Sequence, residues 1–215
     1  MNTKTSPATL RNELLAQKMI QNLHRRHFEA YYCPTRADAV EKVLSLIPTG
    51  STITWGGSMT IRDLGITAAL KQGQYDVHDR DNVTTPEEKQ AVYLKAFSSD
   101  YYLCSANAIT EDGEVVNIDG NGNRVAAITW GPAHVILVVG MNKVCNDLDS
   151  ALARARGTAA PINSMRFDTD TPCHTDGRCH DCHSPQCICN YIHVMRNSYP
   201  SHRHTIILVG ENLGY

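Results

Sequence analysis

Apolar residues recur at three- and four-residue steps early in the chain. Leu10, Leu14, Leu15, Met19, Ile20 and Leu23 mark one face of a helix over Thr9–His27. Met1–Pro7 before it reads as a loose arm, and the run His24-Arg25-Arg26-His27 suits a helix C-terminus. Phe28–Cys33 reads as a short strand. Pro34-Thr35 opens a second helix through Ile47, with Ala39, Val40, Val43 and Leu44 on its apolar face. Ser51–Trp55 reads as a strand, Met59–Gln72 as a helix reset near Gly65, and Tyr75–His78 as a strand. Thr85-Pro86-Glu87-Glu88 predicts a helix start, with Thr85 as cap and Pro86 in the first helical position. That helix runs to about Phe97.

Asp100–Ser105 is continuously apolar, as in a strand covered on both faces. Asn107–Ile118 predicts a hairpin, because Asp112-Gly113 lies between two β-rich runs. A glycine-rich turn follows at Asp119–Asn123. Val125–Thr129 and His134–Val139 read as further strands, and Asn146 or Asp147 caps a helix through Arg156. From Pro161 to Tyr199 aliphatic residues thin out and Cys, His, Asp, Asn and Ser take over. Apolar strand texture returns at His204–Gly210. The order predicts an α/β fold with an open, mainly parallel Rossmann-like sheet and an antiparallel hairpin insertion. Residues 1–215 are expected as one domain, with 161–199 as a cysteine-rich insertion before the last strand.

Composition adds limits. The 215 residues are 42% hydrophobic and 20% charged, with a formal net charge of −2. That is ordinary for a soluble globular protein and carries no broad nucleic-acid footprint. No stretch approaches the roughly 18 apolar residues of a membrane span. The first residues lack an apolar secretory core, so a cytoplasmic location is the expectation. In a reducing compartment the eight cysteines are not read as four disulfides.

Two stretches carry candidate chemistry. In Thr54-Trp55-Gly56-Gly57-Ser58-Met59-Thr60-Ile61-Arg62, a strand ends in a glycine turn followed by hydroxyls and a cation. Gly56 and Gly57 let backbone approach a ligand, Ser58 and Thr60 offer hydroxyls, and Arg62 can clamp a carboxylate or phosphate. The bland alternative is a tight turn capped by Ser58. Asn107, Thr110, Glu111 and Asp119 form a second group, with Glu111 and Asp119 as candidates for proton transfer. Their bland alternative is turn chemistry. Lys143 either reaches the same crevice or is a solvated loop lysine. Cys104 reads as a buried apolar thiol rather than a nucleophile. Gly120-Asn121-Gly122 falls short of a dinucleotide fingerprint.

Five cysteines crowd between Cys173 and Cys189. Cys179-x-x-Cys182 is a knuckle spacing, Cys173 precedes it across a glycine-containing turn, and Cys187 and Cys189 follow. Four thiolates without a long spacer suit one [4Fe–4S] cluster, with tetrahedral zinc as the competitor. His174, His180, His183 and His193 leave mixed zinc ligation open.

The chain resembles the LUD domain family, named for lactate utilisation. The carriers are Thr54–Gly65, Ser105–Val125, Gly131-Pro132 and Val138-Val139-Gly140-Met141-Asn142-Lys143. The resemblance implies a fold related to ribose-phosphate isomerases, glucosamine-phosphate deaminases and CoA transferases, with a ligand crevice at the strand ends. The sequence Ser184-Pro185-Gln186-Cys187-Ile188-Cys189-Asn190 resembles the family's cysteine-bearing branch. This implies Cys173, Cys179, Cys182 and Cys189 as the metal set, with Cys187 as a spare or alternative ligand.

The expected function is a subunit of an iron–sulfur system oxidising lactate or another 2-hydroxy acid. Its crevice would take a small anionic or carboxylate ligand, and its partners would be iron–sulfur or other redox proteins. Two alternatives stay open. One is a self-contained isomerase or CoA-transferase-like enzyme using Glu111 or Asp119. The other is a non-enzymatic sensor or scaffold.

Overall fold

The computed structural model describes residues 6–215; most of the expected N-terminal arm lies outside the described residues. Helix α1 (Pro7–Arg25) starts where the Ser6 side chain accepts from the Thr9 N–H, with Pro7 at its first position. It is followed by β1 (Glu29–Cys33) and α2 (Arg36–Leu46), then β2 (Thr52–Trp55), α3 (Met59–Asp63), α4 (Ile66–Gln72) and β3 (Asp76–His78). Thr35 and Asp38 close a capping box on α2. Gly65 stands at φ 74°, the left-handed break that separates α3 from α4. A second capping box, Thr85 with Glu88, starts α5 (Pro86–Ala96), and β4 (Tyr101–Cys104) follows.

With β7 (His134–Gly140) and β10 (His204–Val209), the main sheet has the order β1-β10-β7-β4-β2-β3 and every neighbouring pair is parallel. Side chains alternate between two cores. Val135, Leu137 and Val139 of β7 pack with Met19 and Leu23 of α1. Ile136 and Val138 face the opposite way, with Val43 of α2 and Leu70 of α4. This period-2 partition of an almost wholly apolar run is what a sheet covered on both faces requires. The open, mainly parallel α/β architecture expected from the sequence is therefore present.

The hairpin becomes part of a second sheet. Strands β5 (Ala108–Thr110) and β6 (Val115–Asp119) pair antiparallel around Gly113, at φ 93°. β8 (Val144–Cys145) adds parallel to β5, and β9 (Tyr191–Met195) adds antiparallel to β6. Strand β9 lies inside the cysteine-rich stretch and was not expected; its exposed Tyr191 and Ile192 lack the alternating burial that marks a strand.

The expected strand at Val125–Thr129 is instead part of helix α6 (Asn123–Thr129). Gly122 turns the chain in the left-handed region at φ 83°. The Asp119 carboxylate accepts from the Asn121 and Gly122 N–H groups, so the chain coils directly into a helix. The helix read through Arg156 also continues further. α7 (Leu148–Arg154), capped by Asp147, runs through a π turn at Ala155–Ala159 into α8 (Ala160–Ser164). Pro161 has no N–H for the carbonyl four residues back, and the Ala160 N–H instead bonds five residues back to Ala155. A short helix, α9 (Pro172–Asp176), follows.

Candidate functional site

A crevice of about 630 Å³ opens beyond the carboxyl ends of β2, β4 and β7. Open parallel sheets place ligands there, beside the point where strand order turns, which in this chain lies between β2 and β4. Gly57, Ser58, Thr60 and Arg62 contribute from the turn after β2, Ser105, Ala106 and Asn107 from the turn after β4, and Lys143 from the turn after β7. Asp119, Asn121 and Arg124 form the opposite wall, with Ile188 and Asn190 of the cysteine-rich stretch.

The lining is strongly cationic. Arg62, Arg80, Arg124, Lys143 and Arg166 face two acids, Asp81 and Asp119. Both acids are already spent. Asp119 receives Arg124 Nε at 3.3 Å and two backbone N–H groups. Asp81 receives Arg62 Nη2 at 2.8 Å on the exposed rim. The unspent positive charge favours an anion.

Each cation has a distinct status. Arg124 braces the second sheet: its guanidinium also donates to Asn117 Oδ1 and Asn107 Oδ1, each at 3.2 Å. The Gly56 turn packs against it, since a Cβ on Gly56 would lie 3.2 Å from Arg124 Cδ and 2.8 Å from the Tyr102 hydroxyl. Arg80 stacks over Tyr93, 5.1 Å from the ring centroid, and its buried Nε has no hydrogen-bond partner, lying 3.8 Å from Asp81 Oδ1. A Cβ on Gly57 would come within 3.5 Å of Arg80 Nη1, so the glycine turn and this arginine share one wall. Of the crevice cations, Arg80 thus carries an unsatisfied buried donor, which a bound anion would satisfy.

Lys143 is not a solvated loop lysine. It is 2% exposed, and its Nζ lies 3.1 Å from Thr60 Oγ1, Ser105 Oγ and the Ala106 carbonyl oxygen. Burial, reinforced by the positive charges of Arg154 and Arg124, pulls its pKa down to about 7.

The structure brings Gly57, Ser58, Thr60, Arg62, Asn107 and Asp119 of the expected residues to one crevice; Gly56 supports its floor. Thr110 and Glu111 lie outside it. The Thr110 hydroxyl accepts from the Glu114 N–H, and the Glu111 backbone bonds to Cys145 and Asn22, at the hairpin end packed against α1. Arg80 and Arg124 were missed. Arg124 stood within the quoted motif, but only the folded β6–α6 turn shows what it braces; Arg80 sits in the polar run Asp79-Arg80-Asp81, with nothing local to single it out.

A second space of about 120 Å³ adjoins the first. Cys173, Cys179, Cys182, Cys187 and Cys189 all line it, with Arg156 of the π turn and Pro161. Burial pushes the Cys189 thiol up to about 12, and the neighbouring Cys187, Cys179 and Cys173 add to the rise. Such mutual destabilisation of thiolates is what a bound cation relieves. The donor chemistry therefore fits an iron–sulfur cluster or zinc. As placed, though, no three His, Cys, Asp or Glu side chains among the described residues are disposed to hold a metal ion. Ile118, Cys187 and Ile188 line both spaces. Asn190 Nδ2 donates to the Gly120 carbonyl at 2.9 Å, and a Cβ on Gly120 would lie 3.1 Å from Ile188 Cα. The cysteine loop is thus pressed, backbone to backbone, onto the crevice wall.

Among the described residues no helix is long and apolar enough to cross a membrane. No curated protein matches the chain. Among solved structures, a DUF162 family protein from Deinococcus radiodurans shares 11% identity. The match covers 92% of this chain and 97% of that one, with a TM-score of 0.55, and shows the fold alone. Ribose 5-phosphate isomerase from Plasmodium falciparum (17% identity, 52% of each chain, TM-score 0.35) is a weaker and partial likeness. So is eIF2B delta from Chaetomium thermophilum (14% identity, 72% of this chain and 64% of that one, TM-score 0.37). The sequence profile of the LUD domain matches residues 16–209, nearly the whole chain, and the protein therefore belongs to the LUD domain family, the lactate-utilisation type.

Proposed function

We propose that this LUD protein is a subunit of an iron–sulfur system that oxidises lactate or a related 2-hydroxy acid. The observation that carries the reading is the shared wall: a cation-lined crevice and a five-thiol cavity meet at Ile118, Cys187 and Ile188. The crevice binds the small carboxylate. Arg80 offers its unsatisfied Nε, Ser58 and Thr60 lie beside it, and Asn107 and Asp119 hold Arg124 in place behind. Cys173, Cys179, Cys182 and Cys189, which line the second cavity, would hold the cluster, with Cys187 at the boundary. When bound, the cluster supplies one-electron transfer to a redox partner.

Anaerobic purification followed by iron, sulfide and zinc analysis tests the cysteine half. Iron and acid-labile sulfide in cluster proportion support it; stoichiometric zinc without iron rejects it. Titration with lactate tests the crevice half. Heat of binding that disappears in Arg80→Met supports it, and absence of binding to wild-type protein rejects it.

A further inference from the structure

Lys143 is a buried amine with no acid beside it. Among the described residues it enters no ion pair. Its neighbours are two hydroxyls and a carbonyl, and the hydroxyls of Thr60 and Ser105 can either accept or donate. The site therefore accommodates a neutral amine as well as an ammonium. Burial this deep and two nearby guanidiniums favour the neutral form, which carries a lone pair near pH 7. Lys143 nonetheless lines the crevice, together with Arg80 and Arg124. A structural lysine would be expected to reach solvent or a carboxylate; this one does neither. A buried amine that reaches its neutral form near pH 7, beside a cation-lined crevice, is the arrangement that activates a lysine towards carbonyl compounds.

We propose that Lys143 forms an imine with the carbonyl carbon of a small 2-oxo acid bound in the crevice. This rests on reading the crevice as a carboxylate site, and it adds a covalent step to that reading. The Nζ lone pair attacks C2 of the oxo acid. One amine proton passes to the former carbonyl oxygen, giving a carbinolamine. That hydroxyl then leaves as water with the second amine proton, and the C=N bond forms. No oxidant or reductant is consumed. Thr60 and Ser105, both 3.1 Å from Nζ, are placed to relay the protons. The acid's carboxylate turns to Arg80, whose buried Nε makes no hydrogen bond and faces Asp81 only at 3.8 Å.

The test uses the full chain, pyruvate and sodium cyanoborohydride, which reduces an imine to a stable secondary amine. Peptide mass spectrometry should find a carboxyethyl group on Lys143, in several-fold excess over any other lysine. Excess lactate should suppress it, and Lys143→Arg and Lys143→Met should abolish it. Modification spread evenly over surface lysines, or none, overturns the proposal. Lactate titration of the same sample separates the two readings. Lactate binding without a Lys143 adduct rejects the imine and leaves the crevice assignment standing; neither binding nor adduct rejects both.

Discussion

Asp119 Oδ2 and Arg124 Nε meet at 3.3 Å where β6 turns into α6, and the pair joins the second sheet to the crevice wall. Both side chains are largely buried, so removing one partner leaves the other uncompensated. Arg124 also donates to Asn107 and Asn117. Arg124→Ala should lower the unfolding free energy by about 2–3 kcal/mol in chemical denaturation. Asp119→Asn should also destabilise, since its carboxylate accepts two backbone N–H groups besides Arg124. Equal stability of Arg124→Ala and wild type would show that the cluster is not a brace.

Arg62 should behave differently. Its guanidinium is exposed and tied to Asp81, a pair worth only about 0–1 kcal/mol. Arg62→Ala should barely change stability but weaken lactate binding several-fold, because it leaves Asp81 opposed by Arg80 alone, at 3.8 Å, on the rim of the proposed anion site. Asp81→Asn added to it should restore most of the affinity. Non-recovery in this double-mutant cycle would make Arg62 a direct carboxylate ligand.

Lys143 makes stability depend on pH. Its folded pKa of about 7 is below its ordinary value of 10.5. Between these values the unfolded chain binds a proton that the folded chain does not, so stability rises with pH across that window. Lys143→Met removes this contribution. Its advantage over wild type should be largest at pH 7 and below and shrink towards pH 10, as read by denaturation midpoints. A constant difference would mean the lysine is charged in the folded state.

His204 gives a second window on the acid side. Burial, opposed by the Ile128 carbonyl and reinforced by Arg203, lowers its pKa from 6.5 to about 4. Between pH 6.5 and 4 the unfolded chain takes up a proton that the folded chain refuses, so stability falls as pH falls. His204→Gln should flatten that part of the profile. An unchanged acid limb would assign the loss to other groups.

Gly120 tests the contact between the loop and the wall. A Cβ there meets the Ile188 backbone at 3.1 Å, and its carbonyl holds Asn190. Gly120→Val should displace the cysteine loop while leaving the main sheet intact. The measurable result is lowered iron content after anaerobic reconstitution with unchanged far-ultraviolet circular dichroism. Full iron loading would place the loop's anchorage elsewhere.

The main sheet was legible because its inner strands β4, β7 and β10 are apolar on both faces and its helices carry caps that act within four residues. Thr85-Pro86 and Asp112-Gly113 needed no distant partner to be read. Strand β9 was invisible for the opposite reason. It exists because it pairs with β6, and its exposed Tyr191 and Ile192 carry no burial pattern. The crevice was half legible. Backbone-permissive glycines and cap hydroxyls mark a turn from sequence alone. Arg80, Arg124 and Lys143 acquire meaning only from what folds against them: Tyr93, Asp119 and the Thr60–Ser105 pair. Glu111 looked equivalent to Asp119 along the chain, but a hairpin sends its two ends in opposite directions.

The common Cys187–Ile188 partition also has a thermodynamic meaning. Residues that line both spaces cannot move for one compartment without moving for the other. On the proposed function, an occupant of the thiol cavity that shifts Ile188 would alter carboxylate affinity in the crevice by some factor. Reciprocity then obliges the carboxylate to alter retention of that occupant by the same factor. Substrate and metal would thus report on each other at equilibrium, before a single electron moves.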